Sequence, residues 1–372
     1  MVSGAVSGPI VLYGASGYTG RLIAAELCSR RADFTLAGRS RERLEAVAVS
    51  LPEPPPVATV ALDDRSGLRS LLEPAAAVIA CAGPFTLHGR PLIEAAAEAG
   101  TNYLDTTGEQ PFIHDAFELH GDAATASGAA LVSGMGFDYA PGDMLAALTA
   151  APLGRLRELT IAYSVRGFGP TRGTALSALE MLGGGDLEWR HGALRPGPRQ
   201  LGAGKFPFPS PLGSRRVGRY PCGEQITVPR HVEVENIRAV IDLHALIGLP
   251  LGPLAAPAMT LGGLVMRRPL RRTLGGLLAR LPEGPGERAR QASRFTVVCD
   301  ALGADGRRRR GVIRGSDVYG LTAAIAVEGA LRLADPTYAE AGALAPAQAF
   351  EAGSFLATLE PFGVAASFEE QR

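Results

Sequence analysis

The sequence predicts an α/β chain, a doubly wound parallel sheet followed by a second, α+β domain. Three observations predict it. Short apolar runs alternate with helical patterns from Pro9 to Ser133, the rhythm of β-α-β units. A glycine-rich turn lies between the first run and the first helix. Beyond Tyr139 the texture changes to longer strands, hairpins and loops rich in Pro and Gly. At 372 residues the chain exceeds one ordinary core and suits two domains. With 46% hydrophobic and 20% charged residues, it is globular rather than disordered.

The strands are expected at Pro9–Tyr13, Phe34–Ala37, Val57–Leu62, Ala77–Cys81, Asn102–Asp105 and Ala129–Ser133. Between them, helical patterns follow Gly20 to Arg30 and run over Ser40–Ser50, Ser66–Leu72, Pro91–Ala99 and Pro111–Ser127. Gly100 is a helix stop. In the second half, helices are expected at Asp143–Thr149, Gly173–Leu182 and Tyr319–Leu333, and a strand at Leu159–Val165. Leu187–Leu243 reads as strands and hairpins. Arg294–Asp317 reads as a hairpin turning at Gly303–Gly306, with the basic run Arg307–Arg310 exposed beside the turn. The domains are therefore set at 1–140, 141–318 (substrate or dimerisation) and 319–372, the last as helices packing back on the first.

Formal net charge is zero, so no global field holds nucleic acid. Cys28, Cys81, Cys222 and Cys299 are far apart and form no CxxC pair. No metal site or disulfide framework is expected, and the thiols read as small apolar residues in a reducing compartment. No basic leader precedes the first strand, so the expected location is the cytoplasm.

Gly14, Gly17 and Gly20 form a GxxGxxG turn between a buried strand and a helix, where a dinucleotide fold needs it. Gly14 permits the tight turn, Gly17 lets backbone approach the pyrophosphate, and Gly20 lets the helix pack closely. The helix N-terminus offers free N–H groups to phosphates, with Ser16, Tyr18 and Thr19 as added contacts. The first domain is thus a Rossmann domain. An NAD enzyme carries an acid at the end of the second strand. This chain has Gly38-Arg39-Ser40. Arg39 can pair with a 2′-phosphate and Ser40 can add a hydroxyl, so the cofactor is expected to be NADP(H). The turn Cys81-Ala82-Gly83-Pro84 ends the fourth strand and is expected against the ribose and nicotinamide.

These residues resemble those of the saccharopine dehydrogenase-like NADP-binding oxidoreductases. The carriers are LYGASGYTGRLIA at Leu12–Ala24, AGRS at Ala37–Ser40, CAGPF at Cys81–Phe85, YLDTTGE at Tyr103–Glu109 and GFDYAPGD at Gly136–Asp143. Weaker echoes are Arg172-Gly173-Thr174 and Tyr319–Ala323. Within that superfamily the chain is most similar to the actinobacterial trans-acting enoyl reductase group. The resemblance implies NADPH-dependent reduction of a carbon–carbon double bond in an apolar substrate, such as a carrier-bound acyl or polyketide chain. An enolate formed in such a reaction needs a neutral donor. Tyr139, beyond the sixth strand, is the candidate, with Glu109 and Asp138 orienting it or the nicotinamide. Two alternatives stay open, an imine or carbonyl reductase of saccharopine dehydrogenase type and a non-catalytic NADP-binding sensor or structural partner. An imine substrate with several charges would need cationic anchors, and none is identifiable in the sequence.

Ala245–Met266 carries no charge, but Pro250, Pro253 and Pro257 argue against a single spanning helix. A pocket wall, an interface between copies or a lipid surface are the alternatives for it. Arg267, Arg268, Arg271 and Arg272 follow on a basic amphipathic pattern. They form a candidate docking face for an acyl-carrier protein, against the alternative of a solvated arginine face.

Overall fold

The computed structural model describes residues 8–181, 186–198, 203–244 and 283–371. The chain divides into two compact units, Met1–Ala140 with Tyr319–Phe350 and Pro141–Val318 with Glu351–Arg372. The segment 245–266 and Arg267, Arg268, Arg271 and Arg272 lie outside the described residues.

The first stretch contains β1 (Ile10–Tyr13), α1 (Tyr18–Ser29), β2 (Phe34–Gly38), α2 (Arg41–Ser50), β3 (Val57–Thr59), α3 (Arg65–Leu72), β4 (Ala77–Ala80), α4 (Phe85–His88), α5 (Arg90–Ala99), β5 (Asn102–Asp105), α6 (Gln110–Ser127) and β6 (Ala130–Val132). Then come α7 (Ala140–Ala150), β7 (Leu156–Arg166), α8 (Arg172–Met181), β8 (Leu187–Arg190), β9 (Ala193–Pro196), β10 (Ala203–Pro207), β11 (Ser214–Arg219), α9 (Glu224–Thr227) and β12 (Val234–Asp242). The rest holds α10 (Glu287–Ala292), β13 (Arg294–Gly303), β14 (Arg308–Ser316), α11 (Val318–Leu333), β15 (Gly342–Ala343), α12 (Pro346–Ala349), α13 (Ala352–Ala357) and β16 (Ala365–Gln371).

The first unit is a seven-stranded sheet in the order β15-β6-β5-β4-β1-β2-β3. Every neighbouring pair is parallel. β1 and β4 are buried along their whole length, as expected where helices cover both faces. The strand order reverses between β1 and β4, and a ligand of such a sheet sits outside the carboxyl ends there. α6 ends at Gly128 in the left-handed conformation (φ 83°), which spares a side chain the strain of that turn.

The second unit is a mixed seven-stranded sheet, β10-β11-β12-β7-β13-β14-β16. β12 and β7 run parallel and the other neighbours antiparallel. Ala162, Val240, Val298 and Val312 pack on one face with Phe206 and Phe208. α7 lies on the other. A Cβ built on Gly311 would come within 2.9 Å of Leu145 Cδ1, so β14 admits this helix only where it lacks a side chain.

Several expectations need correction. Residues 85–88, assigned no element from the sequence, form α4. β3 stops at Thr59, and β7 is longer than expected at both ends. The C-terminal segment does not simply add helices to the first domain. β15 joins the nucleotide-fold sheet, whereas residues 351–372 belong to the second unit and end in β16 on β14. β15 has only two residues, too few for periodicity to show. The arginine run 307–310 is not idle. Arg310 makes a forked contact with Asp300 (2.6 and 2.6 Å), and Arg309 lies 4.5 Å over the Phe368 ring.

Polar groups are buried inside the second unit. His231 Nε2 lies 3.0 Å from Asp143 Oδ2, and Tyr163 donates its hydroxyl to Glu224. Burial pushes the Glu224 carboxyl up to about 8, outweighing the Tyr163 hydrogen bond. The folded chain therefore holds this proton more tightly than the unfolded chain. Its contribution to stability is lost as pH rises from about 4.5 towards about 8. Glu224→Gln should flatten a thermal-melting profile between about pH 4.5 and about 8. An unchanged slope would remove Glu224 as its source.

Candidate cofactor site

β1 delivers the chain into Gly14 with φ at +90°. A Cβ there would sit 2.9 Å from the Ala82 nitrogen and 3.0 Å from the Cys81 carbonyl carbon. Only glycine fits a turn that is both left-handed and pressed against the end of β4. Gly20 is constrained differently. Its Cβ would overlap the Gly14 carbonyl oxygen and lie 2.8 Å from Ala15 Cα. Gly17, the N-cap of α1, is open by contrast, its nearest neighbour being Gly14 O at 3.4 Å. Two glycines thus close the turn, and the third leaves room before a helix N-terminus, where a pyrophosphate binds.

The flanking side chains are set by the same turn. The Ser16 carbonyl accepts from Arg21 Nη1 (2.9 Å) and Arg43 Nη2 (3.3 Å). Tyr18 meets the Tyr319 ring edge-on, centroids 5.3 Å apart, and Thr19 is half-buried beside it. Tyr319 was not singled out for this site, because a pairing across three hundred residues leaves no local signal. Thr322 holds the same neighbourhood, its hydroxyl accepting from the Phe137 N–H at 3.1 Å. The echo at Tyr319–Ala323 is thereby explained as part of the nucleotide half.

At the end of β2, Arg39 is exposed and forms no hydrogen bond or ion pair among the described residues. Ser40 is the N-cap of α2, yet its side chain makes no capping bond. A guanidinium and a hydroxyl are thus both uncommitted where a 2′-phosphate is recognised. The donor set fits NADP(H), with Gly14, Gly17 and Gly20 admitting the pyrophosphate and Arg39 and Ser40 the extra phosphate.

The end of β4 is tied to β5. The Cys81 N–H and thiol both donate to Tyr13 O. Burial pushes that thiol up to about 12, so it serves packing rather than nucleophilic chemistry. Ala82 faces Gly14. Gly83 and Pro84, joined by a cis peptide bond, lead into α4. The wholly buried Glu109 accepts from Phe85 N (2.8 Å), Thr86 N (2.9 Å) and Thr86 Oγ1 (2.6 Å). It supplies the opening turn of α4 with the acceptor that a helix start requires. Glu109 thus ties the start of α4 to the chain just beyond β5.

Asp105, unremarked as a site residue, does a similar service at β6. It accepts from Thr107 N, Ser133 Oγ and Gly134 N. Burial raises its carboxyl to about 6 despite those bonds. Tyr139 is 2% exposed, and its hydroxyl donates to Gly108 O at 2.7 Å. A Cβ built on Gly108 would lie 3.8 Å from Asp138 Oδ2 and 3.9 Å from Tyr139 Oη. Asp138 and Tyr139 therefore meet at the turn after β5, next to the residue that anchors α4.

The model for the saccharopine dehydrogenase NADP binding domain matches residues 10–132. The nucleotide of this saccharopine dehydrogenase-type domain is NADP(H). A Mycobacterium leprae protein named trans-acting enoyl reductase is 39% identical over 140 residues, 36% of this chain and 34% of that protein. A Mycobacterium tuberculosis protein provisionally given the same name is 38% identical over 184 residues, 46% of this chain and 44% of its own length. These matches span less than half of each relative. Apo saccharopine dehydrogenase (L-Glu forming) from Saccharomyces cerevisiae shares the fold, with a TM-score of 0.64 and 14% identity over 98% of this chain and 100% of that one. Among the described residues no helix is long and apolar enough to cross a membrane, and no cluster of potential metal ligands occurs.

Two outcomes test this site. Arg39→Ala should weaken NADPH binding by about tenfold or more, the scale of a lost charge-assisted hydrogen bond, and leave NADH binding nearly unchanged. Fluorescence titration checks it, and equal weakening of both nucleotides would exclude a 2′-phosphate role. Glu109→Ala should destabilise the chain by about 3 kcal/mol, because buried donors lose a shared acceptor. Urea melting measures that loss.

Proposed function

We propose that the chain is an NADPH-dependent oxidoreductase that reduces a carbon–carbon double bond in an apolar acyl substrate carried as a thioester. The observation that carries the reading is the likeness of part of this chain to mycobacterial proteins named for enoyl reduction. NADPH, when bound, supplies the hydride for the β-carbon. The protein must place the thioester, stabilise charge developing on its carbonyl oxygen and return a proton to the α-carbon.

In this reading Tyr139 is the neutral donor. A phenol keeps its proton at neutral pH and can give it to an enolate. Its present acceptor, Gly108 O, holds the hydroxyl at the turn after β5. Asp138, at the same turn, orients it. Glu109 is a positioning residue, since its carboxylate oxygens are occupied by the α4 backbone and Thr86.

Oxidation of NADPH by a panel of enoyl thioesters tests the reaction. Turnover of enoyl thioesters above that of matched ketones and imines is expected, and turnover of imines alone would overturn the reading. Tyr139→Phe should lower kcat by about a hundredfold, within the range of general acid catalysis, with NADPH affinity retained. Near-normal turnover would remove Tyr139 from the role.

A further inference from the structure

The second unit contains a cavity of about 400 Å³ on the face of its sheet. Its floor consists of two in-register rows. One is Ser164, Thr296 and Arg314, and the other is Arg166, Arg294 and Ser316, across β7, β13 and β14. Pro211, Leu212 and Phe362 give the lining its apolar side. Arg166 and Arg294 are direct cross-strand partners, so their Cβ atoms are roughly 4.5–5.5 Å apart, where like charges repel. Arg314 comes from the next strand.

None of the three arginines forms an ion pair among the described residues. Arg294 donates to the carbonyls of Gln291 and Ser293, and Arg314 to that of Ser210. Arg166 has no such bond among the described residues. Asp242 is the carboxylate joined to the lining, and it accepts the Ser164 hydroxyl at 3.0 Å. It also lies 3.4 Å from His244 Nδ1. Three exposed arginines thus share this lining with one adjoining carboxylate, leaving a positive excess beside an apolar side.

We propose that this cavity binds the phosphate of a pantetheine arm, the group that would carry a thioester substrate. The inference rests on the thioester reading of the function. A phosphate suits the site because its charge and several acceptor oxygens can meet guanidinium groups arriving from three strands. The apolar side suits the adjoining arm. The volume falls within the range of small-molecule sites. The phosphate could arrive on free coenzyme A or on a carrier protein, and these share the recognised chemistry.

Calorimetric titration of the full chain with 4′-phosphopantetheine and with pantetheine tests the proposal. The phosphorylated compound should bind at least tenfold tighter, and added salt should weaken it. Arg166→Gln removes a guanidinium with no hydrogen bond or ion pair among the described residues, so it should reduce that preference while NADPH affinity and melting temperature stay unchanged. The triple change of Arg166, Arg294 and Arg314 to Gln should abolish the preference. Equal binding of the two compounds, or a preference that survives the triple change, would overturn the proposal. So would tighter binding of glutarate than of 4′-phosphopantetheine, which marks a carboxylate site. Arginine-dependent binding without reduction of any enoyl thioester would sink the reaction reading and leave the phosphate site standing. In parallel, enoyl thioesters of coenzyme A and of a carrier protein distinguish the two sources. A KM rise in the Arg166→Gln variant for either supports the site, and no rise for both overturns it.

Discussion

The nucleotide half depends on one close approach. Gly14 presses its backbone against Cys81 and Ala82 at the end of β4, where the strand order reverses. If a side chain stood there, β1 and β4 could not both remain in register while the loop turned away. The position of α1 follows from this, because Gly20 must then pass the Gly14 carbonyl without a Cβ of its own. The opening at Gly17 is what remains once those two contacts are closed. The ligand space is thus the residue of a packing problem, and helix polarity makes that space attractive to phosphate.

A second constraint operates through buried carboxylates. Loops after parallel strands have no ladder to satisfy their N–H groups, and inside a protein an unsatisfied donor is costly. Glu109 and Asp105 answer this for α4 and for the β6 turn, respectively. Each draws together the ends of neighbouring strands, so the site's floor is held by short polar ties rather than by large apolar side chains.

Much of this was legible in the sequence, for physical reasons. The strands β1, β4 and β5 are short buried apolar runs, and the glycine turn follows β1 at the spacing a dinucleotide fold requires. The NADP preference was readable because a single position, Arg39, replaces an acid. What was hidden involved distance. Glu109 read as orienting Tyr139 or the nicotinamide because the donors it accepts from lie more than twenty residues away. Tyr319 reaches Tyr18, and Thr322 the turn after β6, from far along the chain. The arginines Arg166, Arg294 and Arg314 are scattered in an arginine-rich sequence, and only the pairing register of β7, β13 and β14 makes them neighbours. β15 and β16 were missed because a two-residue strand and a charged edge strand carry no clear periodicity.

The chain crosses between its units more than once, entering the second at Pro141, returning at Tyr319 and leaving again at Glu351. During synthesis neither unit can therefore be complete before residue 350 has been made. When residue 318 has been made, the parallel sheet still lacks β15 and the helix bearing Tyr319, and the mixed sheet still shows a bare β14 edge. A nascent chain of that length exposes unpaired backbone to its neighbours. Such threading makes the two halves poor candidates for separation by simple truncation, and it makes their maturation a joint, late event rather than two successive ones.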